Sequence, residues 1–309
     1  MKLDKPILIT EQNWPSETVP VLSVFNWVYN HKEFIRESIE SILMQKTTFP
    51  VEIIIHDDAS NDGTKEIILE YQEKHPQLFK NILHEENQWS QGKSVMTTLF
   101  EKPRAKYIAL THGDDYWTDP YKLQKQVDFL EANNQISLVC TQYDVLTGSA
   151  IEPFEPIEDW FINNSNTTYK ITKENFLNPY FLKTCTAVFR KDIITEHSAE
   201  LFRLKYFSDV FIFALCLLKG NGLLMKDNTA VYKIHSNGIW STKSELEKQR
   251  INFLMFREMN AYFSGRFSAV YEAYLGALRD LYAAVKKEKI RWCNLGVVYA
   301  YWLNKRAKN

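Results

Sequence analysis

Tyr107-Ile-Ala-Leu-Thr-His-Gly-Asp-Asp-Tyr-Trp-Thr-Asp-Pro120 is the stretch on which the reading of this chain turns. It opens with an apolar run, residues 107–110, of the kind a buried parallel strand carries. The run breaks at Gly113 and delivers two adjacent carboxylates, Asp114 and Asp115. Pro120 closes the turn, and a periodic polar and apolar segment follows from Tyr121. In open α/β sheets ligands bind at the carboxyl ends of the strands, so the pair stands where a site belongs. Adjacent carboxylates repel, and a divalent cation is the usual compensation. Such a cation, held with open positions, grips phosphate oxygens. Alone, an Asp-Asp pair more commonly marks a solvated turn. The rest of the chain decides between the two.

Length bounds the answer first. With 309 residues the chain has room for one large domain, or a domain and an appendage. Hydrophobic residues at 45% and charged residues at 24% suit a packed core. A net charge of -1 gives no global field to recruit nucleic acid. Cys140, Cys185, Cys216 and Cys293 are far apart and form no C-x-x-C, which argues for a reducing compartment. The first residues lack the apolar core of a signal peptide, and nowhere do eighteen apolar residues run together. The expectation is a cytoplasmic protein that at most touches a membrane surface.

Outward from the opening stretch, strand patterns fall at residues 21–28, 51–56, 78–84, 136–141, 184–190 and 230–234. Helical spacing marks residues 34–43, 65–74, 93–100, 122–131 and 210–218. Alternation of this kind predicts an α/β fold with a mainly parallel sheet and right-handed crossovers. Residues 152–165 are acidic and proline-bearing and read as a loop. From residue 241 the pattern is helical throughout, opened by the capping box Ser244-Glu-Leu-Glu247. A domain over residues 1–240 with a helical extension over 241–309 is therefore expected.

Polar clusters recur at the strand ends: Tyr29-Asn30, Asp57-Asp58, Asp114-Asp115 and His235, with Asp209 at a helix start. In a parallel sheet such ends converge on one crevice. At these residues the chain resembles a family 2 glycosyltransferase of the GT-A fold. The resemblance is carried by Ser23-Val-Phe-Asn-Trp-Val-Tyr-Asn30, Ile54-Ile-His-Asp-Asp-Ala-Ser-Asn-Asp-Gly-Thr64, Gly113-Asp-Asp-Tyr-Trp-Thr-Asp-Pro120, Ser208-Asp209 and Tyr232-Lys-Ile-His235. It spans roughly residues 20–240 and leaves the tail uncovered.

The resemblance implies an inverting, metal-dependent transfer from a nucleotide-diphosphate sugar, with Mn2+ or Mg2+ as cofactor. It implies that Asp58 contacts the base while Tyr29, Asn30 and Trp27 shape the nucleotide pocket. Asp114 matches the metal ligand of the D-x-D motif, Asp115 beside it is expected to take the same metal or a sugar hydroxyl, and His112, in the place of the motif's first carboxylate, is expected to meet the ribose or the metal. Asp209 matches the base that deprotonates the acceptor hydroxyl. His235 matches a histidine that meets the metal or the diphosphate. The usual setting of such enzymes is bacterial surface polysaccharide or lipid-linked glycan synthesis.

Two other readings compete. A sugar-nucleotide nucleotidyltransferase would want a glycine-rich basic loop after the first strand, and Asn26-Trp-Val-Tyr-Asn30 is not one. A catalytically silent binding protein has His112 in its favour and Asp58, Asp114 and Asp209 against it. At the far end, residues 286–309 hold seven basic residues and one acidic, around an apolar aromatic segment. That composition suits contact with an anionic membrane surface.

Overall fold

Leu22–Val28 and Val51–Asp57 are buried at every position, as strands covered on both faces must be. A computed structural model describes residues 2–91, 98–154, 168–177, 180–201, 203–238 and 240–287. Two short strands, β1 (Ile7–Leu8) and β3 (Lys46–Thr47), pair antiparallel by themselves. The main sheet comprises β2 (Leu22–Val28), β4 (Val51–Asp57), β5 (Ile82–Leu83), β6 (Tyr107–His112), β7 (Tyr116–Trp117), β8 (Ile136–Thr147), β9 (Ala150–Pro153), β10 (Thr168–Ile171), β11 (Val188–Arg190) and β12 (Asn221–Ile234). Its order is β10-β12-β8-β11-β6-β2-β4-β5, with β7 on β12 and β9 on β8. The pairs β2/β4, β2/β6, β4/β5 and β8/β12 are parallel, and β11 runs antiparallel to both of its neighbours.

Among the described residues seven α-helices accompany these strands: α1 (Ile35–Leu43), α2 (Thr64–Lys74), α3 (Thr98–Glu101), α4 (Lys122–Ala132), α5 (Asp192–Thr195), α6 (Ser198–Leu201) and α7 (Asp209–Lys219). On one face of the sheet α1, α2 and α4 bury Ile35, Ile39, Ile42, Ile68, Leu123 and Val127 against Val24, Ile53, Ala109 and Val139. Helix α7 packs on β8 and β12 and is apolar all round, with Val210 through Leu217 buried. A helix of that composition can only be an interior one.

Contacts divide the chain into two compact units, Met1–Thr172 with Phe181–Ile234, and Lys173–Tyr180 with His235–Asn309. The second unit holds α8 (Glu245–Phe263) and α9 (Ser268–Lys287). Ser244 and Glu247 cap α8 reciprocally, as their spacing predicts. Phe253, Leu278, Leu281 and Val285 form the small core between the two helices. Among the described residues no helix is long and apolar enough to cross a membrane. The expected membrane-binding stretch lies outside the described residues beyond Lys287, as does most of the expected loop at 152–165.

Three expectations change. The strand expected at 184–190 is half 3-10 turn, Thr184–Thr186, because Thr186 Oγ1 donates to the Lys183 carbonyl and Ala187 N–H to that of Thr184. The strand expected at 78–84 shrinks to β5, with Phe79 touching Ile53 by a single bridge. The last strand is far longer than 230–234, since β12 runs beside β8 for its whole length with irregular register around Asn228.

Candidate active site

Strands β2, β4 and β6 end side by side, and their register sets Trp27 opposite His56 on one flank and His112 on the other. The loops that leave these ends are tied together. Asn30 takes φ 53°, a left-handed conformation that Asn tolerates better than most residues. That bend lets Asn30 Oδ1 accept the Asn61 N–H at 2.9 Å while its own N–H donates to Ser60 Oγ at 2.8 Å. Ser60 in turn donates from both its hydroxyl and its N–H to the buried Asp57 carboxylate. Lys32 N–H reaches Asp62, which also caps Thr64 at the start of α2. Two turns that lie thirty residues apart thus form one rigid rim.

Asp58 is buried at the end of β4. Its carboxylate accepts the main-chain N–H groups of Gln88 at 2.7 Å and Trp89 at 3.1 Å. Tyr29, one residue beyond β2, is 44% exposed, whereas Trp27 is buried between Phe25 and His112. The indole expected to shape the nucleotide pocket is therefore a buried one, packed into the end of the sheet. His56 lies below the same loops, with Nε2 3.1 Å from His84 Nε2. Burial first, and then the His84 charge, pull its pKa from 6.5 down to about 4.

At the end of β6, Nδ1 of His112 pairs with Thr184 Oγ1 at 2.9 Å. Gly113 follows because nothing larger fits: a Cβ there would stand 2.7 Å from His31 Nδ1 and 2.9 Å from Val28 Cγ2. This close approach seats His31 beside the turn. Its Nε2 lies 3.8 Å from Asp114 Oδ2, with both side chains mostly buried. Asp115, expected beside Asp114 as a second ligand, instead turns inward and is 1% exposed. Its Oδ1 accepts the Lys233 N–H at 3.0 Å, so it binds the end of β12 to the turn. Burial, and then the neighbouring Asp114 charge, push the Asp115 carboxyl well up from its ordinary value.

Asp209 is the first residue of α7, and its Oδ1 accepts the Val210 N–H at 2.9 Å. Burial raises the Tyr232 hydroxyl far above its usual value, and Asp115, Asp114, Cys185 and Asp209 all add to the rise. Lys183 Nζ sits over the same ring, 4.5 Å from its centre. His235 is the residue after Ile234, where the second unit begins.

Sequence reasoning missed His31 and Trp89. His31 had one signal: it follows the Tyr29-Asn30 pair directly. Trp89 had none beyond its place in a polar loop. A carboxylate and an imidazole 3.8 Å apart fit one divalent ion with bonds of about 2.1 Å, and that donor set suits Mn2+.

Known proteins are similar to this chain. A Mycobacterium tuberculosis protein of uncharacterized function is 32% identical over 224 residues, which cover 71% of this chain and 60% of that protein. The chain thus spans about three-fifths of the length of its mycobacterial relatives. TuaG of Bacillus subtilis, whose name assigns it to teichuronic acid biosynthesis, is 33% identical over 118 residues, 38% of this chain and 43% of its own. Among solved structures, S. aureus TarS 1-349 in complex with UDP-GlcNAc superposes with a TM-score of 0.58 at 17% identity, covering 84% of this chain and 80% of TarS. The mannosyltransferase PcManGT of Pyrobaculum calidifontis, in complex with GDP-Man and Mn2+, gives 0.56 at 15% identity over 97% and 84% of the two chains. Those likenesses concern the fold, which is GT-A. The family pattern itself matches residues 23–197, more than half of the sequence, and the chain belongs to Glycosyl transferase family 2.

Proposed function

We propose that this chain moves a sugar from a nucleotide-diphosphate sugar to an acceptor hydroxyl, with inversion at the anomeric carbon. The observation that carries the reading is the turn after β6, at the carboxyl edge of the sheet, where Asp114 Oδ2 stands 3.8 Å from His31 Nε2 with both side chains mostly buried. Asp114 lies at a strand end and Asp209 at a helix start, so donor and acceptor can be held from two sides. Tyr29, Asn30 and Asp58 hold the nucleoside, over a floor that includes Trp27 and His112. Asp114 faces the diphosphate, and Asp115 supports it from behind by fixing the turn. UDP and GDP are the two nucleotides to consider, since UDP-GlcNAc and GDP-Man are what the solved neighbours hold.

Asp209 takes the proton of the acceptor hydroxyl as its oxygen bonds to the anomeric carbon. The bond from that carbon to the diphosphate oxygen breaks on the opposite side, and the nucleoside diphosphate leaves. Mn2+ or Mg2+ bound at Asp114 supplies charge neutralisation for that leaving group. His31 is the further ligand we assign to the ion from the geometry, and the family resemblance implies His235 as another. Residues 1–240 form the transferase in this reading and 241–309 a helical extension. The setting is surface polysaccharide or lipid-linked glycan synthesis, which the name of TuaG supports, and we place it at the cytoplasmic face of a membrane.

The test is turnover of a panel of UDP- and GDP-sugars with Mn2+, with chelator, and with Asp114→Asn. Chelator should abolish turnover and added Mn2+ restore it. Asp114→Asn should lose orders of magnitude with its fold intact. Full activity in chelator, or in the variant, ends the reading.

A further inference from the structure

Asp58 spends its carboxylate on a loop, and that loop carries an exposed indole. Besides the two N–H bonds from Gln88 and Trp89, the Asp58 carbonyl accepts Asn87 Nδ2 at 3.0 Å. Asn87 closes the turn on itself, with Oδ1 accepting the Ser90 N–H at 2.7 Å and its carbonyl the Ser90 hydroxyl at 2.9 Å. These bonds tie the turn to Asp58 and to itself. The indole of Trp89 is left out, 57% exposed, although Trp is among the costliest side chains to leave in water.

Its neighbourhood is the nucleoside side of the site. The Asp58 N–H donates to the Val28 carbonyl at 3.0 Å, and Tyr29, the next residue, is the other exposed aromatic of this edge. Two rings are therefore rooted on either side of one short hydrogen-bonded bridge, Val28 to Asp58 to Trp89. Every nucleobase offers a flat π-face, and stacking on an aromatic side chain contributes on the order of ten- to a hundredfold in affinity. Asp58 keeps free lone pairs beyond the two in use, so holding the loop does not stop it accepting a base N–H.

Resting on the function proposed above, we infer that Trp89 is the stacking platform for the donor's nucleobase and that Asp58 is the positioning residue that holds it there. The platform reads the π-face and not the edge of the base, so it serves uracil and guanine alike.

The experiment uses the full chain with Mn2+. UDP and GDP binding is measured by calorimetry, and uridine and guanosine binding by NMR titration, for wild type, Trp89→Ala and Trp89→Phe. Trp89→Ala should weaken whichever diphosphate the wild type takes by about tenfold or more, and the matching nucleoside by a similar factor. Trp89→Phe should stay within about threefold of wild type. Three results overturn the inference while leaving the proposed function standing. They are Trp89→Ala within twofold of wild type, a loss for the diphosphate without one for the nucleoside, or Trp89→Phe as weak as Trp89→Ala. A wild type that takes neither UDP nor GDP overturns both.

Discussion

Acid will strip stability from this fold through one imidazole. His56 is 1% exposed, with His84 at 3.1 Å, and its pKa falls from 6.5 to about 4, by burial first and by the His84 charge second. The unfolded chain takes up this proton near pH 6.5, whereas the folded chain resists it until about pH 4. Between those values the unfolded state binds more protons, so stability falls as the pH drops and levels off below 4. A shift of roughly 2.5 units at about 1.36 kcal/mol per unit amounts to about 3 kcal/mol. Against a typical stability of about 5–15 kcal/mol that is a large share. Urea midpoints measured from pH 7 to pH 4.5, for wild type and His56→Gln, isolate it. Asp57 and Asp115, both raised by burial, act with the opposite sign but are common to both proteins. The wild-type curve should be steeper than that of His56→Gln by up to about 1.4 kcal/mol per pH unit. Parallel curves would refute the reasoning, since they would mean that His56 titrates alike in both states.

Asp209→Asn should keep donor affinity yet lose about 10²–10⁴-fold in turnover; a near-normal rate would assign the proton to another group. In Gly113→Ala the new methyl meets His31 and two buried residues, Val28 and Ile35, at 2.7–3.2 Å, so overpacking should cost about 1–3 kcal/mol in urea titration. An unchanged midpoint would contradict the close approach. Glu52 is buried and accepts the Ser23 hydroxyl at 2.6 Å and the Arg104 N–H at 2.9 Å. Glu52→Ala leaves both donors without their partner and should cost about 2–4 kcal/mol, seen as a lower Tm; no drop would show that the pair is satisfied otherwise.

The parallel centre of the sheet was legible because its strands are buried on both faces and so read as plain apolar runs. Helix α7 was legible for the same reason. The region around residue 186 was not, because threonine suits a strand by its branching and a turn by its hydroxyl, and here the hydroxyl wins. Nor was the first half of β12, where Lys226-Asp-Asn228 reads as a loop but is kept in the sheet by pairing with β8. In the site, Asp114 was singled out by the paired carboxylates after a buried strand and Asp209 by the resemblance. The inward turn of Asp115 was not legible, since it depends on the Lys233 N–H, 118 residues away. His31 likewise becomes visible only once Gly113 is folded against it.

The three residues of β11 have a consequence for how the molecule is made. Among the described residues they join β6-β2-β4-β5 to β10-β12-β8 in the strand order, and they arrive about 75 residues after β6 has ended. A ribosome adds roughly 5–20 residues per second, so β6 waits some seconds with one edge unpaired and both faces apolar. During that interval the nascent half-sheet is open to strand addition by any neighbour. Once Val188 and Phe189 dock, the edge is closed by Phe189 pairing with Ile108 on one side and Leu138 on the other. Synthesis rate and chaperone supply, more than equilibrium stability, should therefore set the yield of this protein.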